Sequence, residues 1–123
     1  MRRVDWAIHP KPPRIWLCED RAAFRRGCIR LDLNEVPEFP SNKAATTWLM
    51  HDKRGDLVCL VCLSPEKIKK YSKVEICGLL VHEAVHVWQG WAEHIGEEHP
   101  GAEQEAYAVQ WVSVQLINAW KKL

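Results

Sequence analysis

The run from Val74 to Trp91 has the length and apolar character of one helix, and it carries His82, Glu83 and His86 as His-Glu-Ala-Val-His. On a helix, residues four apart share a face and stack about one turn apart. His82 and His86 can therefore aim two imidazole nitrogens at one point. Glu83 lies one step round from His82 and three from His86, so its carboxylate borders the same point. The preceding residues, Ile76 to Val81, are apolar, and Val85 and Val87 continue the buried side. A buried helix with two His and one Glu needs partners for those polar groups. A metal ion satisfies all three at once. Two neutral nitrogen ligands, with a carboxylate beside the metal-held water, are what a hydrolytic zinc site requires.

A chain with 6 His in 123 residues produces this five-residue pattern by chance in roughly 2–3% of cases, so the surroundings decide. Such a site needs a third protein ligand and a fourth position open to water. The metzincin pattern would place Gly three residues and His six residues after His86. Those positions hold Gln89 and Ala92, so that solution fails. The other solution draws a Glu from the next helix. Glu103 and Glu105 stand just ahead of a second helical run that ends at Leu123.

With His82, Glu83, His86 and the step Glu105-Ala106, the chain resembles gluzincin-like metallopeptidases. It is also similar to short bacterial and phage proteins of that class, through Leu80 to Gln89 and Glu105 to Gln110. The likeness covers about residues 74–118. It implies a minimal zinc-peptidase core in which His82, His86 and Glu105 hold Zn2+ and Glu83 is the general base and acid. Glu105 is preferred to Glu103 because the family's ligand Glu is commonly followed by Ala. Thermolysin-type members place an Asp four residues after that Glu to orient a ligand His. Here Val109 stands at that position, or Tyr107 if Glu103 is the ligand. This departure keeps Glu103 open as the alternative third ligand.

The length suits a single domain, residues 1–123, with the Pro-rich residues 1–13 as an N-terminal arm. A formal net charge of +1 gives no electrostatic case for nucleic acid or membrane. The N-terminus lacks the apolar stretch of a signal peptide, and no segment approaches a membrane span, so the expected location is cytoplasmic. Five Cys is an odd count and suits reduced thiols. Cys59 and Cys62 are spaced as a C-x-x-C pair. They lie in a strand-like run, where residues three apart point to opposite faces, and they read as core. Four of the seven Trp lie on the two C-terminal helices. They read as packing residues, with Trp88 or Trp91 the alternative candidates for lining a cleft. Trp111 and Trp120, nine apart, are expected on roughly opposing sides of the last helix.

The expected fold is α+β: a small antiparallel sheet followed by two C-terminal helices. Arg14 to Cys18 and the alternating Cys28 to Leu33 read as short strands, separated by one or two helical turns from Asp20 to Arg26. Glu35 to Lys43 is a loop. Thr46 to Asp52 and Leu57 to Leu63 form a hairpin, with Gly55 suited to a positive φ. The Arg54-Gly55-Asp56 tripeptide is turn chemistry. Ser64 and Ser72 start helices, and Gly90 or Gly96 ends the one that carries the His pair. The resemblance further implies that an edge strand beside this helix, 46–52 or 57–63, binds an extended peptide by strand addition.

The expected activity is zinc-dependent hydrolysis of peptide bonds in a peptide or protein substrate. His51, His94, His99 and Tyr107 are candidate oxyanion donors, none fixed by a motif. The alternative is a zinc-binding or protein-interaction module without turnover on the same scaffold. The apolar, Trp-bearing last helix offers a surface for a homodimer.

Overall fold

The computed structural model describes residues 13–123, and the N-terminal arm, apart from Pro13, lies outside them. Strand β1 spans Arg14–Cys18 and is followed by helix α1, Arg21–Arg30. Strands β2, Ala45–His51, and β3, Leu57–Leu63, form the expected hairpin. Helices α2 (Pro65–Ile68), α3 (Lys73–His94) and α4 (Ala102–Lys121) complete the chain. The class is α+β, but the sheet is mixed rather than purely antiparallel. Its order is β1-β3-β2, with β2 antiparallel and β1 parallel to β3. The Arg14 guanidinium, at the start of β1, pairs with the Asp52 carboxylate. That pairing anchors the head of β1 next to the head of β3, with Arg14 opposite Val58.

Every residue of β3 is buried, at 4% exposure or less. A strand apolar on both faces has to sit between two layers. Leu57, Cys59, Val61 and Leu63 face a core built from α3 and α4, with Leu80, Ala84, Val87, Val112 and Leu116. Val58, Leu60 and Cys62 face a second cluster with Phe24, Cys28, Leu31 and Phe39. Each fully buried Leu or Val contributes about 1.5–3 kcal/mol, so β3 is the energetic centre of the domain.

The region read as a strand from Cys28 to Leu33 is instead the end of α1. Phe24, Cys28 and Leu31 recur at helical spacing and are buried, whereas Ile29 is 76% exposed. The apparent alternation thus counted an exposed Ile as inward-facing. Asp20 caps this helix by accepting the Ala23 N–H at 2.8 Å. Asp32, at φ 54°, turns the chain away. A single bridge, Leu33 to Asp52, is all that remains of sheet pairing there.

Helix α3 opens on a reciprocal cap. The Ser72 hydroxyl accepts the Glu75 N–H at 3.1 Å, and the Glu75 carboxylate accepts the Ser72 N–H at 3.0 Å. The Ser72 N–H first, and then the Ser72 side chain, hold the Glu75 carboxyl below its ordinary range. Gly96, at φ 75°, ends the helix. Its N–H reaches the Glu93 carbonyl while the Glu97 N–H reaches that of Ala92, the Schellman arrangement. Gly90 lies inside the helix with the Leu49 side chain directly over it. A Cβ at Gly90 would stand 2.6 Å from a Leu49 methyl. Trp111 and Trp120, expected on opposing sides, are both half-buried against the α3–α4 core. No helix among the described residues is long and apolar enough to cross a membrane.

Candidate metal centre

Three side chains of α3 are brought to bear on the side of the helix next to β2. Alternate residues of β2 point at α3: Thr47 reaches Glu83, Leu49 covers Gly90, and the rings of His51 and His94 are 5.4 Å apart. The missing side chain at Gly90 lets β2 lie this close. In the middle of α3, His82 and His86 are exposed, whereas Glu83 is 4% exposed.

The Nε2 atoms of His82 and His86 are 3.3 Å apart. Two nitrogens each ~2.0–2.1 Å from one tetrahedral ion would be separated by about 3.3 Å. The same separation lets one neutral ring donate a hydrogen bond to the other. Glu83 Oε2 lies 3.9 Å from His82 Nε2, and Oε1 accepts the Thr47 hydroxyl at 2.8 Å. The ligand atoms of His82, Glu83 and His86 all lie within 4.8 Å of one another, so this group could hold a metal ion. Beside it opens a cleft of about 500 Å³ lined by Lys43, Ala45, Tyr71, Glu75, Gly78 and Leu79.

Neither carboxylate of α4 joins the group. Glu105 Oε2 accepts the indole N–H of Trp88 at 2.9 Å, and Glu103 is exposed one half-turn earlier. Trp88 itself is 2% exposed, so Glu105 serves as the hydrogen-bond acceptor for a core side chain. Trp88 and Trp91 both belong to the core, as packing residues. His94 lies between His51 and Trp91, Tyr107 is half exposed, and the His99 backbone N–H is turned to Glu97. Thr47 was not foreseen. Its contact depends on the strand register and on the approach of β2 to α3, neither of which a sequence pattern encodes.

The cysteines divide as their spacing predicted. Cys59 faces α3 and Cys62 faces α1. Burial pushes the Cys59 thiol up to about 12, which leaves it an inert core group. The Cys62 thiol donates to the Leu60 carbonyl at 3.8 Å, and the nearness of the Cys18 and Cys62 thiols across the β1–β3 pair lowers Cys18 and raises Cys62.

Among the described residues, β2 also forms an open sheet edge. Its Ala44 neighbour accepts the Ser64 N–H on the β3 side. By the antiparallel alternation, the N–H and C=O groups of Ala45, Thr47 and Leu49 then point away from β3. The corresponding carbonyl of His51 is taken by the Asn34 N–H. β3, the other strand considered for peptide binding, is paired on both sides and offers no edge. Comparison with protein-family models, curated proteins and solved structures finds no match to this chain.

Proposed function

We propose that the chain is a zinc-dependent peptidase in which His82 and His86 hold the ion and Glu83 moves the proton. The observation that carries this reading is the convergence of the two Nε2 atoms, 3.3 Å apart, beside a buried carboxylate. Among divalent ions, a pair of imidazoles completed by a carboxylate suits zinc, with cobalt, nickel and iron(II) as chemical alternatives. A bound zinc ion supplies Lewis acidity and brings the pKa of the water it holds to ~7. Glu83, with Oε2 on the imidazole side, would serve as the proton acceptor and donor for hydrolysis at an ion held there. An extended peptide laid along Ala45 to Leu49 would gain main-chain hydrogen bonds from the open edge. The neighbouring cleft would then take one of its side chains.

Glu105 would be the third ligand in this reading, with Glu103 its alternative, and to reach the ion Glu105 would have to leave the Trp88 indole. One observation favours a second reading, a metal-binding module without turnover: Glu105 already has a structural partner in Trp88. A single experiment separates the two. Metal content is measured on protein purified without added metal, alongside Glu83→Gln, His86→Ala and Glu105→Ala, and peptide hydrolysis is followed in parallel. The peptidase reading expects one zinc per chain, lost in His86→Ala, and Glu83→Gln that keeps zinc but not turnover. Turnover that survives Glu83→Gln overturns the role of Glu83. Zinc without any turnover leaves the binding module.

A further inference from the structure

We propose that Thr47 is a positioning residue that sets the orientation of the Glu83 carboxylate, an inference that rests on the hydrolytic reading above. The Thr47 hydroxyl donates to Glu83 Oε1 at 2.8 Å. Glu83 is 4% exposed, so water cannot readily replace this donor. The terminal torsion of a glutamate is broad and roughly two-fold, and by itself leaves the two oxygens interchangeable. A donor fixed on one oxygen removes that freedom. With Oε1 held, Oε2 is the oxygen turned to the imidazoles, 3.9 Å from His82 Nε2. Thr47 suits this task because its β-branched side chain is stiff at χ1 and its backbone belongs to a strand. A general base works through geometry before pKa, and an ångström of misplacement is costly.

Thr47 has a second relation to the same site. Its main-chain N–H and C=O face the open edge of β2, because the even-numbered residues carry the ladder to β3. A peptide pairing with that edge would be placed relative to the residue that also places the base. Substrate backbone and proton acceptor would thus share one reference point. The close seat of β2 on α3 preserves this arrangement: the Leu49 side chain lies over Gly90, a residue with no Cβ to hold the strand off.

The test uses zinc-loaded full-length protein and a quenched fluorescent peptide selected from a mixed-sequence library on the wild type. Thr47→Val keeps the shape and removes the donor, and Thr47→Ser restores the donor. Positioning predicts that Thr47→Val loses about ten- to a hundredfold in kcat, with KM changed less than about twofold. Zinc content should stay unchanged, and Thr47→Ser should recover kcat to within about threefold of wild type. If Thr47→Val folds poorly, the comparison passes to Thr47→Ser against Thr47→Ala under conditions where both are folded by circular dichroism. A Thr47→Val enzyme with wild-type kcat, while Glu83→Gln is inactive, overturns the positioning role and leaves the peptidase reading intact. Loss of zinc in Thr47→Val, or a loss in KM alone, overturns it as well. Zinc-loaded wild type that hydrolyses no member of the library overturns the peptidase reading and the role of Thr47 together.

Discussion

Replacing Glu105 with alanine removes the acceptor of a buried indole N–H, and the cost can be worked from the contact. The Trp88 Nε1 to Glu105 Oε2 distance is 2.9 Å, and Trp88 is 2% exposed. Breaking a hydrogen bond to a charged acceptor costs about 1.5–3 kcal/mol. Glu105 lies at the exposed rim, so water can reach the indole after truncation and the lower half of that range applies. Loss of a carboxylate from the first turn of α4 adds about 0.3–1 kcal/mol, and alanine's better helix propensity returns a few tenths. The expected total for Glu105→Ala is about 1.5–2.5 kcal/mol, by urea unfolding in chelator with an unchanged m-value. Trp88→Phe and the double variant complete a cycle, with an expected coupling of about 1–1.5 kcal/mol. A coupling under about 0.3 kcal/mol would refute the reasoning, since the bond would then contribute nothing beyond exposed rim contacts. The same cycle in saturating zinc decides the third ligand. If Glu105 ligates the ion, the coupling falls towards zero; if it persists, Glu105 belongs to Trp88 in both states.

Three further outcomes are expected. Gly90→Ala should be near neutral or mildly destabilising, because a helix gain of about 1 kcal/mol is offset by displacing Leu49; in a Leu49→Ala background the clash with Leu49 disappears, and the same change should stabilise by about 1 kcal/mol in thermal or urea melts. Leu60→Ala, at a position with no exposure in the central strand, should cost about 2–5 kcal/mol by urea unfolding. Burial raises the Asp52 carboxyl, but the N–H groups of Asp56 and Arg54 and the charges of Arg14 and Arg54 outweigh it and hold the group below its ordinary range. Its stabilisation is therefore full above about pH 4 and lost as pH falls through the lower folded value, so the gap between wild type and Asp52→Asn should narrow in acid unfolding curves.

What the chain reveals before folding is chiefly what local rules encode. The His82–His86 spacing is a helical period, Gly55 marks a turn and Ser72 a helix start, and each stands where it was expected. The opposed faces of Cys59 and Cys62 follow from strand alternation alone. The rest depends on partners distant in sequence. Cys28 to Leu33 alternates well enough to mimic a strand, and only packing against Phe24 and Phe39 shows that the inward residues follow a period of three and four. The parallel placement of β1 joins residues about 44 positions apart, Arg14 against Val58, which no local pattern encodes. The Glu105 side chain is directed by a tryptophan on another helix, and the Thr47 contact by a glycine that no motif includes.

The sheet order has a consequence for how the chain survives its own synthesis. β3 reads Leu-Val-Cys-Leu-Val-Cys-Leu, uncharged and without proline, the composition of a segment that pairs with copies of itself. Its hairpin with β2 is local and forms one edge early. The other edge has to be met by β1, whose residues lie about 44 positions away, Arg14 against Val58. Until that strand arrives, β3 is open along one side to any other chain. β1 is thus a guard as much as a part of the sheet: made before β3, last to be needed, and the element whose loss should leave β3 open to pairing with other chains.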